Sequence, residues 1–413
     1  MSNDAYIVFI FGFVFILKIC IVGRGSAHLG TQIPETTTVN KTTKILWFSH
    51  YGPPKLSPNE KKLLRFKMCS QQTKQSCKFS SVYDKDGWDS PDLIVFRFDE
   101  SPPDYRKNAR GMKIVSEKYK EFESKLAAAK RDTIPTVFHQ TESPGFHQDS
   151  YKRKNGIFNY TMSYRLDSSI PFPYGTLYET KYLAWQAKKF EGSIDFALKI
   201  DRKTLLEDKI GGVLAVVSNC GSRYRQKTIK YLQKSMIFKN GTRAFKPYGK
   251  CFSGPLEGSE YKQLRKASKF YLAIENSRCK EYITEKFWRT LQYESVPIVA
   301  GPSRSVYEQF VPKSAFIHID DFNGKLGKLA DYVNYLLGND TAYLEYFDWR
   351  TNQAQMNSVR FSDLDSYSQQ GYCKLCEVAK NKKHSVIDHL HYWWYGEKDV
   401  NGPSCDRGIK INI

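Results

Sequence analysis

Apolar residues in this chain fall in short blocks, separated by polar runs with helical spacing. ILWFS (45–49), DLIVFRF (92–98) and TVFHQ (136–140) are almost uninterrupted apolar runs of strand length. Strands covered on both faces read this way, without a polar alternate side. A second series follows: VLAVVSN (213–219), FYLAIEN (270–276), VPIVAG (296–301) and AFIHID (315–320). SEKYKEFESKLAAAK (116–130), Tyr224 to Ser235 and YITEKFWRTLQY (282–293) read as helices, with Ile283, Phe287 and Leu291 recurring every fourth residue in the last. This alternation predicts an α/β chain with two Rossmann-like, doubly wound domains facing a cleft. The first is placed at 45–205 and the second at 206–376. A tail at 377–413 would pack on the body, HLHYWWY (389–395) reading as a helix. The Gly-rich stretch 241–258 reads as a surface loop.

Before the first strand the pattern changes. Tyr6 to Gly23, YIVFIFGFVFILKICIVG, carries a single charge, Lys18. At about 1.5 Å per residue, a helix of this length nearly crosses a hydrocarbon layer of ~30 Å. Residues 1–5 then read as a cytoplasmic tail, 6–23 as one transmembrane anchor and the Thr-rich 24–44 as a flexible stem. A cleaved signal peptide is the rival reading, with Gly23 to Ala27 as a small-residue cleavage site, but the start Met-Ser-Asn-Asp lacks a basic residue. Lys18 and Arg24 lie on the side that the positive-inside rule assigns to the cytosol. Eight cysteines beyond Cys20, and glycosylation sequons at Asn40, Asn159, Asn240 and Asn339, argue instead for an oxidising lumen. The expectation is a single-pass type II protein with its body in the lumen.

Composition narrows the ligands. Of 413 residues, 41% are hydrophobic, which excludes a disordered chain or a many-span membrane protein. The net charge of +20 favours anionic ligands. The anchor, the sequons and the spread of the charge along the chain argue against a nucleic-acid partner.

Chemistry concentrates in 270–289. A strand ends at Asn276, a polar loop follows and a helix begins near Ile283, so Glu285 and Lys286 fall in its first turn. A carboxylate there can accept two ribose hydroxyls, and an ammonium can meet a diphosphate at the helix N-terminus. A dipole-favoured glutamate beside a solvated lysine would look the same.

ENSRCKEYITEKFW followed by VPIVAGPS resembles the signature of the α1,3/4-fucosyltransferase family. VVSNCGSRYRQKTIKYL (216–232), FNYTMSYRLDSSIPFPYG (158–175) and HQTESP (139–144) look like its other blocks, in the same order. The resemblance implies the two-domain glycosyltransferase-B architecture and GDP-fucose as donor. It also implies inversion at the transferred sugar, glycoprotein N-glycans as acceptors and a Golgi membrane location. By motif, Arg225 and Lys286 would contact the diphosphate, Arg223 being the alternative to Arg225. Glu285 would bind the ribose, and Asn276 and Tyr282 would line the donor pocket. Glu142 in TESP matches the family's proposed general base, although a loop carboxylate capping a turn is the plainer reading of the residue alone. Tyr164 and Arg165 would position the donor or hold the cleft, while the alternation Phe158, Tyr160, Met162, Tyr164 equally reads as a strand face. SNCGSR and CKEYITEKF look closer to the core-modifying invertebrate and plant members, which points to the innermost N-glycan GlcNAc rather than an antenna.

Metal chemistry is not expected. The DxD patterns at 84–86 and 363–365 stand outside a strand-to-helix junction. His384, His389 and His391 near Cys373 and Cys376 match no zinc spacing. No cofactor is expected to be required, with a divalent cation at most stimulatory. Eight cysteines allow about 105 pairings; local disulfides are expected for Cys69–Cys77 and Cys373–Cys376, leaving Cys220, Cys251, Cys279 and Cys405 unassigned. The rival function is a non-catalytic glycan-binding membrane ectodomain on the same fold.

Overall fold

The computed structural model describes residues 43–48, 77–81, 90–98, 105–107, 113–115, 124–129, 133–145, 154–187, 198–361, 367–380, 385–396 and 405–406. The anchor at 6–23, the stem to residue 42, Asn40, Cys69 and both DxD patterns lie outside these residues. No described helix is long and apolar enough to cross a membrane.

Two parallel sheets form the body. The first comprises β1 (Thr43–Phe48), β2 (Cys77–Ser81), β3 (Leu93–Arg97), β4 (Thr136–Gln140), β5 (Tyr160–Ser163) and β6 (Ile170–Pro171), in spatial order β2-β1-β3-β4-β5-β6. The second comprises β7 (Gly211–Val216), β8 (Phe245–Tyr248), β9 (Ser268–Ile274), β10 (Val296–Ala300) and β11 (Ile317–His318), in order β8-β7-β9-β10-β11. Both sheets share one doubly wound plan, with the direction of winding reversing between the first and third strands. At that point, outside the strands' carboxyl ends, such sheets open a crevice for ligands.

The apolar runs are explained by burial on both faces. In the second sheet, Val213, Ala215, Phe270, Leu272 and Ile274 pack with helices α2 (Arg223–Ser235) and α4 (Leu326–Leu337). The alternate residues Leu214, Tyr271, Ala273 and Val299 pack with α3 (Glu285–Gln292) through Phe287, Trp288 and Leu291. Full burial of each such side chain contributes roughly 1.5–3 kcal/mol.

The chain divides less simply than a linear boundary implies. Gly175 marks the first crossing: a Cβ there would lie 2.5 Å from the Trp288 ring, so only glycine admits this approach. Helix α1 (Leu177–Ala187) and Leu198 then already pack on the second sheet. Near the C-terminus the chain returns. Helix α5 (Tyr367–Lys380) covers one face of the first sheet, with Tyr372, Leu375 and Val378 against Ile45, Trp47 and Val95. Helix α6 (Leu390–Tyr395) covers the opposite face, Trp394 packing among Phe138 and Tyr164. Residues 177–187 and 198–205 thus join the second half, and 367–380 joins the first.

Two expectations are corrected. Within 241–258, Phe245–Tyr248 is an edge strand, paired in parallel with β7 from Phe245↔Val213 to Tyr248↔Val216. An edge position accommodates Pro247, which lacks an N–H to give to a ladder. The cysteines also do not pair locally. Cys77 at the end of the first sheet bonds Cys376 on α5, with Cα atoms 6.0 Å apart. Packing of α5 beside β1 brings together residues 299 positions apart. Cys373 is itself disulfide-bonded, and Cys69 lies outside the described residues. Cys220 bonds Cys251, and Cys279 bonds Cys405.

Candidate active site

The switch point of the second sheet lies between β7 and β9, and the loops leaving these strands carry the charged side chains. After β7, Ser222 caps α2 by accepting from the Arg225 N–H at 3.4 Å. This cap starts the helix so that Arg225 points inward while Arg223, two residues earlier, is exposed. The buried Arg225 guanidinium donates to the Asn219 carbonyl at 2.5 Å and to the Ile274 carbonyl at 3.4 Å, tying both loops together. Burial, offset by the Glu275 carboxylate, lowers its pKa from an arginine's usual value. The disulfide Cys220–Cys251 anchors the same loop from outside.

After β9 comes Glu275, which sequence reasoning passed over. Its carboxylate is wholly buried. Oε1 accepts from the Thr284 N–H at 2.8 Å and its hydroxyl at 2.9 Å, and Oε2 accepts from Lys286 Nζ at 3.1 Å. Lys286 Nζ also donates to Thr284 Oγ1 at 2.7 Å and lies 3.5 Å from Glu285 Oε1. Burial disfavours the ammonium, but Glu275 and Glu285 outweigh it and hold the Lys286 pKa above the ordinary lysine value. Burial pushes the Glu275 carboxyl upward against the opposing pull of Lys286. Glu285 is half-exposed at the first residue of α3. The Asn276 side-chain oxygen is buried without a partner among the described residues.

Glu142 comes from the other half, two residues beyond β4. Its N–H donates to Gln140 Oε1 at 3.1 Å, and Tyr174 holds the adjacent Thr141 carbonyl at 3.0 Å. Gly145 closes the loop against the second half, where a Cβ would meet Ser277 Oγ at 2.9 Å. The Tyr282 hydroxyl donates to Glu142 Oε2 at 2.9 Å. Tyr282, expected in the donor pocket, therefore reaches across to the carboxylate. Its ring packs with Tyr164 and Tyr174 at centroid distances of 5.0 and 6.1 Å. Burial, reinforced by Tyr174 and Glu142, raises the Tyr282 pKa well above the usual phenol value, so the hydroxyl stays a donor.

Tyr164 packs across to the second half, and Arg165 braces the loop beside it. Tyr164 is buried between Tyr282 and Trp394. Arg165 forms a fork with Asp167 at 2.9 and 2.6 Å, stacks over Trp393 at 4.6 Å and donates to the Trp393 carbonyl. Glu281, in the left-handed region at φ 59°, accepts from the Leu166 N–H at 2.7 Å. Three of the Arg165 N–H groups are thus spent on Asp167 and Trp393. Among the sequons, Asn159 Oδ1 accepts from the Thr136 N–H at 2.9 Å and its Nδ2 donates to the Ser385 carbonyl. Asn339 caps the helix Asp340–Leu344. Asn240 sits on an exposed turn, its Oδ1 accepting from Thr242. No group of three or more His, Cys, Asp or Glu able to hold a metal occurs among the described residues.

Two parallel α/β halves, with a carboxylate of one facing a buried cation pair of the other, define a two-domain glycosyltransferase. Residues 40–175 match the family model described as "Fucosyltransferase, N-terminal", and residues 206–393 match "Glycosyltransferase family 10 (fucosyltransferase) C-term". The chain belongs to glycosyltransferase family 10, the fucosyltransferases. It is 34% identical over 255 residues to alpha-(1,3)-fucosyltransferase 4 of Bos taurus, a match covering 60% of this chain and 58% of that protein. It is 32% identical over 248 residues to 4-galactosyl-N-acetylglucosaminide 3-alpha-L-fucosyltransferase 9 of Rattus norvegicus, covering 59% and 60%. The matched region thus spans less than two thirds of these relatives' own length. In fold, the chain is similar to a crystal structure of an alpha1,3-fucosyltransferase with GDP. The TM-score is 0.50 at 16% identity, over 86% of this chain and 94% of that one.

Proposed function

We propose that this protein is an α1,3-fucosyltransferase that moves L-fucose from GDP-β-L-fucose to a GlcNAc hydroxyl of glycoprotein N-glycans, with inversion. One observation carries this reading: Glu142 of the first half faces the Arg225–Glu275–Lys286 cluster of the second, with Tyr282 bridging. The names of the two relatives support fucosyl transfer, and the second supports position 3 of GlcNAc. In this reading Glu142 takes the proton of the acceptor hydroxyl as that oxygen bonds to the fucose anomeric carbon. The bond from that carbon to the GDP oxygen breaks on the opposite face, which inverts the centre. GDP leaves with its added negative charge met by Arg225 and Lys286, fixed donors that need no reorganisation. Glu285 receives the ribose hydroxyls and Asn276 lines the donor pocket. With cations supplied by side chains, no metal is required. The protein is anchored in the Golgi membrane by residues 6–23 with its body in the lumen.

The test is transfer of labelled fucose by the purified full-length chain, with products identified by mass spectrometry on two acceptors: an N-glycan with a free core GlcNAc and an antenna LacNAc. We expect a core product, with Glu142→Gln and Lys286→Ala each losing at least 100-fold, as removal of one fixed charged group at a reacting centre commonly does. Full activity in both variants would overturn the site. Glycan binding that ignores GDP, with no turnover, would instead establish a lectin-like ectodomain.

A further inference from the structure

We propose that Glu275 is a positioning residue for the donor diphosphate: it fixes where the Lys286 ammonium points and where α3 begins. This rests on the reading of Lys286 as a diphosphate contact. Glu275 is the first residue beyond β9, and its own N–H is held by the Ala300 carbonyl at 2.8 Å. Gly301 makes its room, since a Cβ there would lie 3.1 Å from Glu275 Cγ and 2.7 Å from the Tyr307 hydroxyl.

Stability alone does not account for this carboxylate. A buried ion pair repays its desolvation poorly, and an apolar side chain of similar volume serves a core as well or better. The bonds it makes are instead directional. Lys286 Nζ has three protons; Glu275 Oε2 and Thr284 Oγ1 take two of them, at 3.1 and 2.7 Å. The third is left to Glu285 Oε1, at 3.5 Å, and to the open side of an ammonium whose side chain is 23% exposed. Thr284 is the residue before α3, and its hydroxyl is spent on Glu275 rather than on capping the helix. The α3 N-terminus and the lysine are therefore set by the same carboxylate. The groups facing it are Tyr282 and Thr284 ahead of α3, Glu285 and Lys286 from α3, Arg225 from α2, and Tyr307 and Gly301 from beyond β10. Glu275 also attracts two cations, Arg225 and Lys286, that repel each other.

The experiment is calorimetry with GDP, plus initial-rate kinetics, on the full-length protein purified in detergent. In Glu275→Gln the negative charge is lost and one of the two acceptor oxygens becomes an NH2. We expect GDP affinity to fall at least tenfold and the donor KM to rise in step, with the acceptor KM unchanged. In the Lys286→Ala background, Glu275→Gln should cost no more than a further twofold, because the interaction is already gone. Thr284→Ser should bind GDP like the wild type, and Thr284→Val should not, which keeps the test alive if Glu275→Gln fails to fold. Wild-type GDP binding alongside equal binding by Glu275→Gln and Thr284→Val, or losses that multiply in the double variant, would overturn the positioning role. A wild type that binds no GDP would overturn the donor reading itself.

Discussion

Tyr282→Phe removes one oxygen and leaves the ring in place. The ring stays packed on Tyr164 and Tyr174, so the change isolates the hydrogen bond to Glu142 Oε2 at 2.9 Å. A bond to a charged group contributes roughly 1.5–3 kcal/mol, or about 10- to 150-fold at 1.4 kcal/mol per tenfold. Glu142 is only half-buried, so water will replace part of the lost bond. The expected loss is therefore at the lower end, about 10- to 30-fold. It should fall on kcat, because the tyrosine orients the base rather than the donor. The assay is initial rates with GDP-fucose and acceptor varied separately, alongside GDP calorimetry. Nucleotide affinity should stay within about twofold of wild type, as expected for a group that does not touch it. Unchanged kcat with a raised donor KM would return Tyr282 to the donor pocket and refute the bridging role.

Three further outcomes are expected. Burial, opposed by the Pro302 carbonyl and Asp320, lowers the His318 pKa from 6.5; Nε2 donates to Pro302 O at 3.0 Å and Nδ1 accepts the Asp320 N–H at 3.1 Å, as in a neutral ring. The unfolded chain then binds the proton first as pH falls, so stability is fully present above about pH 6.5 and declines below it; urea midpoints taken from about pH 7.5 to 5.5 should show a fall that His318→Asn lacks. Removing the disulfide that spans 31 positions, with Cys220→Ser and Cys251→Ser together, should cost about 3–4 kcal/mol in a thermal melt under oxidising conditions and weaken GDP binding by loosening the Arg225 loop. In a glycosylating host, Asn240→Gln should lose the mass of one glycan, whereas Asn159→Gln should lose none and melt lower, because its amide is spent on Thr136 and Ser385; a glycan found on Asn159 would contradict this.

The local features were legible in the sequence because they depend on near neighbours. Burial on both faces writes an unbroken apolar run, so TVFHQ could be read as a strand at 136–140, and β4 has those bounds. The strand-loop-helix layout around Asn276 and Lys286 was equally readable, and the long motif blocks identified the family before any contact was known. Four things required the folded chain. The edge strand Phe245–Tyr248 is short and holds a proline, so no period marks it. Cys77 and Cys376 meet only because α5 crosses back onto the first sheet, and spacing favours near pairs over one 299 positions apart. Glu275 ends an apolar strand like any solvent-facing residue, and only the packing of Gly301 and Thr284 around it makes it a buried charge. Tyr282 and Glu142 stand 140 residues apart, and their bond exists only once the halves close. Periodicity and motif record what each segment needs locally; which charges face one another is decided by how the two halves pack.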